Sequence, residues 1–297
     1  STLPTAFGEK LVMRIFDPEV LQKSFEALGL ADDDLARWHA MTGMGNGIVL
    51  VTGPTGSGKT TTLYSTLRQL ATSAVNVCTI EDPIEMVEGA FNQMQVNHAI
   101  DLDFSTGVRT LMRQDPDIIM IGEIRDLETA NMAIQAALTG HLVLSTLHTN
   151  DSPSSISRML ELGAPAYLVK ATLRGIMSQR LVRILCDDCK RAKPTDVHGW
   201  RELVQPFDIP APKEVYEAVG CKTCRDTGYR GRRGIYEVLV NSRAVQDEIV
   251  AAINTSRLRS IAFGEGMQSL RVSGAGRVAL GETTVEEVLR VAPAISE

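Results

Sequence analysis

Three groups of residues have the types and spacing of reaction chemistry. The first, Gly53-Pro54-Thr55-Gly56-Ser57-Gly58-Lys59-Thr60, fits G-x-x-x-x-G-K-[ST] and lies between the apolar run Ile48 to Thr52 and a helical stretch, Thr61 to Ala71. In such a loop the glycines turn backbone N–H groups inward around a β-phosphate, Lys59 brings a positive charge to the β- and γ-phosphates, and Thr60 offers a hydroxyl to Mg2+. With Thr61 at the start of the helix, these are the nucleotide-binding candidates; a glycine turn without a ligand is the plainer alternative. Such a loop needs an acidic group after a second buried strand, and Asp117-Ile118-Ile119-Met120-Ile121-Gly122-Glu123 provides one. Glu123 is the candidate for activating water and for meeting magnesium, directly or through water.

Glu81-Asp82-Pro83-Ile84-Glu85 follows another apolar run, Asn76 to Ile80, and should open at the same sheet edge. Glu81 and Glu85 either orient water and complete the outer shell of the metal, or cap a loop. His141 and His148 bracket Leu142 to Leu147 and either report the γ-phosphate state or serve the structure. The third group is Cys186-x-x-Cys189 with Cys221-x-x-Cys224, separated by the long segment 190–220. Two such knuckles suit a tetrahedral four-thiolate zinc site, and a redox dithiol is the rival. Cys78 lies in an apolar run and reads as core.

These residues must be carried by buried strands alternating with helices. Ile48 to Thr52, Asn76 to Ile80, Ile118 to Ile121 and His141 to Leu147 are short and apolar, as in a parallel α/β sheet covered on both faces. Upstream, Thr5 to Phe16 suggests a strand broken at Asp17-Pro18, and Asp32-Asp33-Asp34 opens a short helix carrying Leu35, Trp38 and Met41. Arg191 to Pro212 has four prolines and little periodicity, which predicts a small subdomain stapled by zinc. From Ser242 onward apolar residues recur at helical spacing. The expected division is residues 1–18, the end of a truncated amino-terminal domain; 19–31, a linker; 32–183, the nucleotide domain; 184–235, the cysteine subdomain; and 236–297, a helical tail.

At 297 residues, 44% hydrophobic and 22% charged, the chain is neither a disulfide-stapled miniprotein nor a disordered one. No apolar run approaches the ~20 residues of a membrane-spanning helix. A net charge of −6 provides no field for collecting phosphate backbones, so nucleic acid is not an expected partner. Ser1 begins in mid-pattern without an initiator Met, which suggests a piece of a longer protein.

Gly53-to-Thr60, Glu81-to-Glu85, Arg113-Gln114-Asp115-Pro116-Asp117 running into Gly122-Glu123-Ile124-Arg125-Asp126, and Thr139-Gly140-His141 through His148-Thr149-Asn150-Asp151 resemble, in order, the Walker A, Asp box, Walker B and His box of the secretion ATPase superfamily. The likeness covers nearly the whole chain, and the paired C-x-x-C motifs point to its type II secretion and type IV pilus assembly branch. The resemblance implies a RecA-like P-loop ATPase core with a four-cysteine zinc subdomain and a helical carboxyl-terminal tail. It also implies ATP, Mg2+ and Zn2+ as cofactors. By the same resemblance Glu123 is the catalytic glutamate, His148 the γ-phosphate sensor, and Arg14, Arg109 and Arg125 arginines that approach the phosphates on domain closure. The implied assembly is a homohexamer at the cytoplasmic face of the inner membrane, working with a platform protein and cytoplasmic assembly proteins. Ser1 to Thr5 resembles the end of the family's amino-terminal domain.

Two other functions share parts of this pattern. A small-molecule phosphotransferase combines a P-loop with a zinc module, but its cysteines would lie nearer the loop and its lid would be rich in arginine. A nucleic-acid-translocating ATPase of the recombinase type would carry a basic stripe, where this sequence offers only clusters such as Arg230-Gly231-Arg232-Arg233. An ATP-gated scaffold would have no need of Glu123.

Overall fold

A computed structural model describes residues 2–13 and 24–294. The chain opens with an exposed hairpin, β1 (Thr2–Thr5) and β2 (Gly8–Leu11), where the sequence suggested one strand from Thr5 to Phe16. Asp17-Pro18 and Arg14 lie outside the described residues. Two helices follow, α1 (Phe25–Leu28) and α2 (Asp32–Thr42), and then the body of the molecule is built around one sheet.

Its first half alternates as the apolar runs predict, apart from one polar strand, β5, that no apolar run announced: β3 (Gly47–Thr52), α3 (Lys59–Leu70), β4 (Val77–Glu81), β5 (Asn92–Gln95), α4 (Phe104–Leu111), β6 (Ile118–Ile121), α5 (Leu127–Leu138) and β7 (Leu142–Leu147). Strands β3, β4, β6 and β7 are buried at every residue. Alternate side chains enter opposite cores, as the period of two requires. Ile48 and Leu50 join Ile80, Ile119, Ile121 and Val143 under α4 and α5. Val49 and Val51 join Val77, Met120 and Leu144 under α2 and α3, where Trp38, Met41, Leu63, Tyr64 and Leu67 pack.

The second half differs from the sequence reading. After α6 (Ser152–Glu161) and α7 (Ala166–Thr172) comes a long strand, β8 (Leu173–Leu185), parallel to β3. A further strand, β11 (Tyr229–Val240), runs antiparallel to β8 and ends the sheet, whose order is β11-β8-β3-β7-β6-β4-β5. The residue 235/236 division expected from sequence therefore falls inside a strand of the main sheet. Neither strand shows simple alternation, because Ser178, Gln179, Arg180 and Glu237 are buried polar groups with partners inside the protein.

Between β8 and β11 the cysteine segment contains β9 (Arg191–Pro194), α8 (Val197–Val204) and β10 (Glu214–Glu217), more order than its prolines suggested. Its Trp200, Leu203, Val204 and Val215 share a core with Leu270, Ala275, Val278 and Val288 of the closing helices. Those helices are α9 (Arg243–Glu248), α10 (Thr255–Gly264), α11 (Leu270–Ala279) and α12 (Val285–Val291). Arg233, from the basic cluster, is tied to Glu282 at 2.6 Å. No helix of the described residues is long and apolar enough to cross a membrane.

The β8–β11 seam is tight at Gly175, which pairs with Val240: a Cβ there would lie 1.9 Å from Met41 Sδ and 2.5 Å from the Leu239 carbonyl oxygen. Overpacking against backbone costs about 1–3 kcal/mol. Gly175→Ala is expected to lower unfolding free energy by that amount in urea titration; unchanged stability would mean that the seam can open.

Candidate functional site

The phosphate loop leaves β3 and enters α3 through three glycines with positive φ, Gly53 at 147°, Gly56 at 79° and Gly58 at 89°. Gly53 cannot carry a side chain, since a Cβ would meet the Gln179 carbonyl oxygen and Ser57 Oγ at 2.6 Å each. Gly58 caps α3 without a side chain, and a helix start leaves its first N–H groups unpaired by the helix itself. Pro54 and Thr55 are exposed, Ser57 is buried, and Thr60 and Thr61 stand half-buried on the first turn. Ser57 Oγ is buried without a hydrogen-bond partner among the described residues, a polar atom left over in the loop wall.

Lys59 donates to the carbonyls of Gly53 at 2.9 Å and Pro54 at 3.1 Å. Burial pulls its pKa below the usual lysine value; the Glu123 carboxylate opposes that, the Arg180 charge adds to it, and Glu85 opposes it again. Lys59, Glu123, Glu85 and Arg180 thus share one electrostatic neighbourhood, as the sequence expected for the first three.

Glu123 is placed by the turn after β6. Gly122 N–H donates to the Ile80 carbonyl, its carbonyl accepts from Thr146 Oγ1 at 2.7 Å, and Ile124 N–H donates to the Thr146 carbonyl. The carboxylate that results is mostly buried. One oxygen accepts from Arg125 Nη2 at 2.5 Å and the other lies 3.3 Å from His148 Nε2. Burial and the charge of Lys59 lower the His148 pKa despite Glu123, which leaves the ring neutral at neutral pH. His141 sits at the opposite end of β7, with Nδ1 against the Ala136 carbonyl and Thr139 Oγ1, and its contacts there are structural.

Glu81 is placed differently from Glu85. Its two oxygens accept from Tyr64 Oη at 2.8 Å, Thr79 Oγ1 at 2.6 Å and Gln93 Nε2 at 3.2 Å, a buried network that ties β4 to α3 and β5. Arg109 is exposed on the last turn of α4 and makes no ion pair among the described residues; Arg14 lies outside them. In the Arg113-to-Asp117 segment, Asp117 accepts from Asn76 N–H, and Asn76 donates to the carbonyls of Gln114 and Asp115, which holds the amino ends of β4 and β6 together.

Sequence reasoning missed Gln179 and Arg180, which back the loop from β8. Gln179 bonds Ser57 and Thr62, and Arg180 donates to the carbonyls of Gln179 and Asn150. The available signal was a polar trio, Ser178-Gln179-Arg180, inside an apolar run. A cleft of about 350 Å3 opens beside Pro54, between Asn150 and Arg180 on one side and Arg271, Leu289 and Arg290 on the other.

The four cysteines cluster with all sulfur atoms within 4.8 Å of one another. Cys186 and Cys221 are 3.9 Å apart, Cys189 and Cys224 3.8 Å, and Cys221 and Cys224 3.7 Å. A tetrahedron of thiolates at ~2.3 Å from a zinc ion has edges of about 3.8 Å, so this donor set fits the metal. Burial raises the Cys224 thiol pKa, but the N–H groups of Cys221 and Gly228, each 3.2 Å from its sulfur, outweigh it and bring the thiol down to about 6.

The family model described as type II/IV secretion system protein matches residues 1–290. Among curated relatives, the type IV pilus assembly ATPase TfpB of Acinetobacter baylyi is 60% identical over 99% of this chain and 50% of its own length. The type II secretion system protein HxcR of Pseudomonas aeruginosa is 46% identical over 98% of this chain and 58% of its own. The chain thus spans about half the length of the curated relatives it matches. Among solved structures, the pilus retraction motor PilT with bound ADP superposes with a TM-score of 0.68 at 26% identity, over 99% of this chain and 73% of that one. The mixed α/β fold with its central parallel sheet is the fold of that motor.

Behind the loop, Glu237 of β11 gives the site a pH signature. Burial raises its carboxyl pKa to about 7; the Ser152 N–H, which donates to it at 2.7 Å, opposes this, the Asp151 charge adds to it, and Arg259 opposes it. A carboxyl whose pKa is raised on folding keeps its proton longer in the native state, so its contribution to stability is complete below about pH 4.5 and is lost as pH climbs toward 7. The loss is on the order of 3 kcal/mol. Glu237→Gln, which cannot ionise, should lose less stability than the parent between pH 5 and 8 in urea titrations; parallel pH profiles would mean that Glu237 is already ionised in the fold.

Proposed function

The chain belongs to the family of type II/IV secretion system proteins, and on that premise we propose that it is the ATP-hydrolysing part of a motor that assembles a type IV pilus or a type II secretion pseudopilus at the bacterial inner membrane. The observation that carries this reading is the meeting of Lys59, Glu123 and His148 at the carboxyl ends of β3, β6 and β7, three neighbouring parallel strands. Ligands of open α/β sheets bind at such an edge.

The loop N–H groups and the α3 amino end hold the β-phosphate, while Lys59 exchanges its two carbonyl partners for β- and γ-phosphate oxygens. Thr60 would hold Mg2+, with Glu123 meeting it directly or through water, and when bound the ion would supply positive charge to the transferring phosphoryl oxygens. The cleft beside Pro54 has nucleoside-scale room. Glu123 orients the attacking water and takes its proton. For that, Arg125 must give up the Glu123 oxygen it holds, and the γ-phosphate is the competing anion. Neutral His148 holds the other oxygen and registers whether the γ-phosphate is present. Glu85 lies near enough to Lys59 to orient water, Glu81 anchors that strand end, and Arg14 and Arg109 are the arginines to approach the phosphates when domains close. Cys186, Cys189, Cys221 and Cys224 hold structural Zn2+, which staples the segment between β8 and β11.

The working form is a homohexamer on the cytoplasmic side of the membrane, coupled to a membrane platform and cytoplasmic assembly proteins, with no nucleic acid. The names of the relatives support the pilus-assembly and secretion part of this reading.

Glu123→Gln is expected to bind ATP like the parent and to hydrolyse it at least ~10²-fold more slowly, the scale for losing a general base. Equal falls in binding and turnover would assign Glu123 to structure or metal instead. Metal analysis of protein prepared without chelator should find about one zinc per chain, and stripping it should raise hydrogen exchange in 186–224 while nucleotide still binds. Less than about a tenth of an equivalent would refute the zinc site.

A further inference from the structure

Beside the phosphate loop, β8 presents a side chain that the reaction scheme above does not use. Strand β8 runs parallel to β3 with Ser178 opposite Thr52, the last residue before the loop, and the two hydroxyls are 2.5 Å apart. The next residue, Gln179, is 2% exposed. Its amide is committed at both ends: Nε2 donates to the Ser57 carbonyl at 2.6 Å, and Oε1 accepts from Thr62 Oγ1 at 2.7 Å. Ser57 and Thr62 stand on either side of Gly58, Lys59, Thr60 and Thr61, so one rigid amide spans the junction of loop and helix. Arg180 continues the brace, from the Gln179 carbonyl at 2.9 Å to the Asn150 carbonyl at 2.8 Å, two residues beyond His148. The space is closed: a Cβ on Gly58 would stand 3.1 Å from Gln179 Nε2.

A loop that binds an anion through backbone N–H groups gains only if those groups already point inward, because turning them at the moment of binding costs ordering free energy. The glycines that allow this conformation also allow many others. Some outside group must choose among them, and α3 alone does not, since its first hydrogen bond, from Thr62 N–H to the Gly58 carbonyl, reaches back no further than Gly58. We infer that Gln179 is the positioning residue of the phosphate loop: its amide fixes Ser57 against Thr62 and so aims the loop N–H groups, Lys59 and Thr60 at the β-phosphate. It touches no reacting atom. The inference rests on the ATP-binding reading and adds to it a strand that carries no recognised nucleotide motif.

The test is equilibrium binding of a fluorescent ATP analogue to the chain and three variants. Gln179→Met keeps the length and bulk but neither hydrogen bond. Thr62→Val removes only the hydroxyl that Gln179 accepts from. Gly175→Ala, on the same strand but packed against Met41 and Leu239, loses stability without touching the loop. Loss of a positioning hydrogen bond is expected to raise the dissociation constant about tenfold in Gln179→Met, with a smaller rise in Thr62→Val. Gly175→Ala should stay within about twofold of the parent. In hydrolysis assays the Gln179→Met defect should sit in KM, with kcat changed less. Should that variant fail to fold, Gln179→Leu serves instead, since it is neutral and of similar bulk and lacks both hydrogen bonds. Parent-like affinity in the Gln179 variant, or an equal loss in Gly175→Ala, overturns the inference while the nucleotide site stands. A parent that binds no analogue overturns the ATP reading itself, and this inference with it.

Discussion

Strand β3 has parallel neighbours on both sides, β7 and β8, and all of its residues are buried, so the chain after Thr52 must leave the sheet where there is almost no room for side chains. That confinement explains the loop's composition. Gly53 lies against the Gln179 backbone, and Gly58 lies against the Gln179 amide. What remains accessible is backbone, and backbone N–H groups at a helix start attract anions. The acidic and imidazole groups arrive at the same edge because β6 and β7 run the same way as β3, and parallel strands place their following loops on one side.

The charges at this edge are arranged against one another. Lys59 and Arg180 are both pulled down by burial, and Glu123 and Glu85 hold Lys59 up. Arg125 and His148 divide the two oxygens of Glu123 between them. A buried charge without a partner is costly, so each group is held by another until something of higher charge competes for it. A triphosphate is such a competitor. It offers Lys59 more than two neutral carbonyls do, and it offers Arg125 an alternative to Glu123. The same contacts that hold the site together without phosphate are those that phosphate must replace.

Much of this could be read from residues alone where local pattern and tertiary role agree. Strands β3, β6 and β7 are apolar throughout because both faces are covered, and the loop glycines are required by their backbone angles. The cysteine spacing was enough to expect a cluster. Strands β8 and β11 were hidden for the opposite reason. Their polar residues are buried, and Gln179 and Glu237 are satisfied by Ser57, Thr62 and Ser152, partners that lie far away in sequence. Nor does sequence separate Glu81 from Glu85, since only the approach of Tyr64, Thr79 and Gln93 shows that Glu81 is an anchor. As the two ends of one strand His141 and His148 are equivalent in residue pattern; the family resemblance singled out His148, and it is His148 that reaches Glu123.

Leu185 and Tyr229 face each other across the β8–β11 ladder, so the intervening segment 186–228 leaves the sheet and returns through a gap one strand spacing wide. In evolutionary terms the sheet treats that whole segment as a hairpin loop. The entropy of closing a loop grows only slowly with its length, so a lineage can lengthen such an insert, give it a metal, or discard it without shifting the register of either strand. Discarding it has one cost. Trp200, Leu203, Val204 and Val215 cover Leu270, Val278 and Val288, and their removal would leave that face of α11 and α12 wet. Loss of the cysteines and polar replacement on those two helices should therefore travel together through descent.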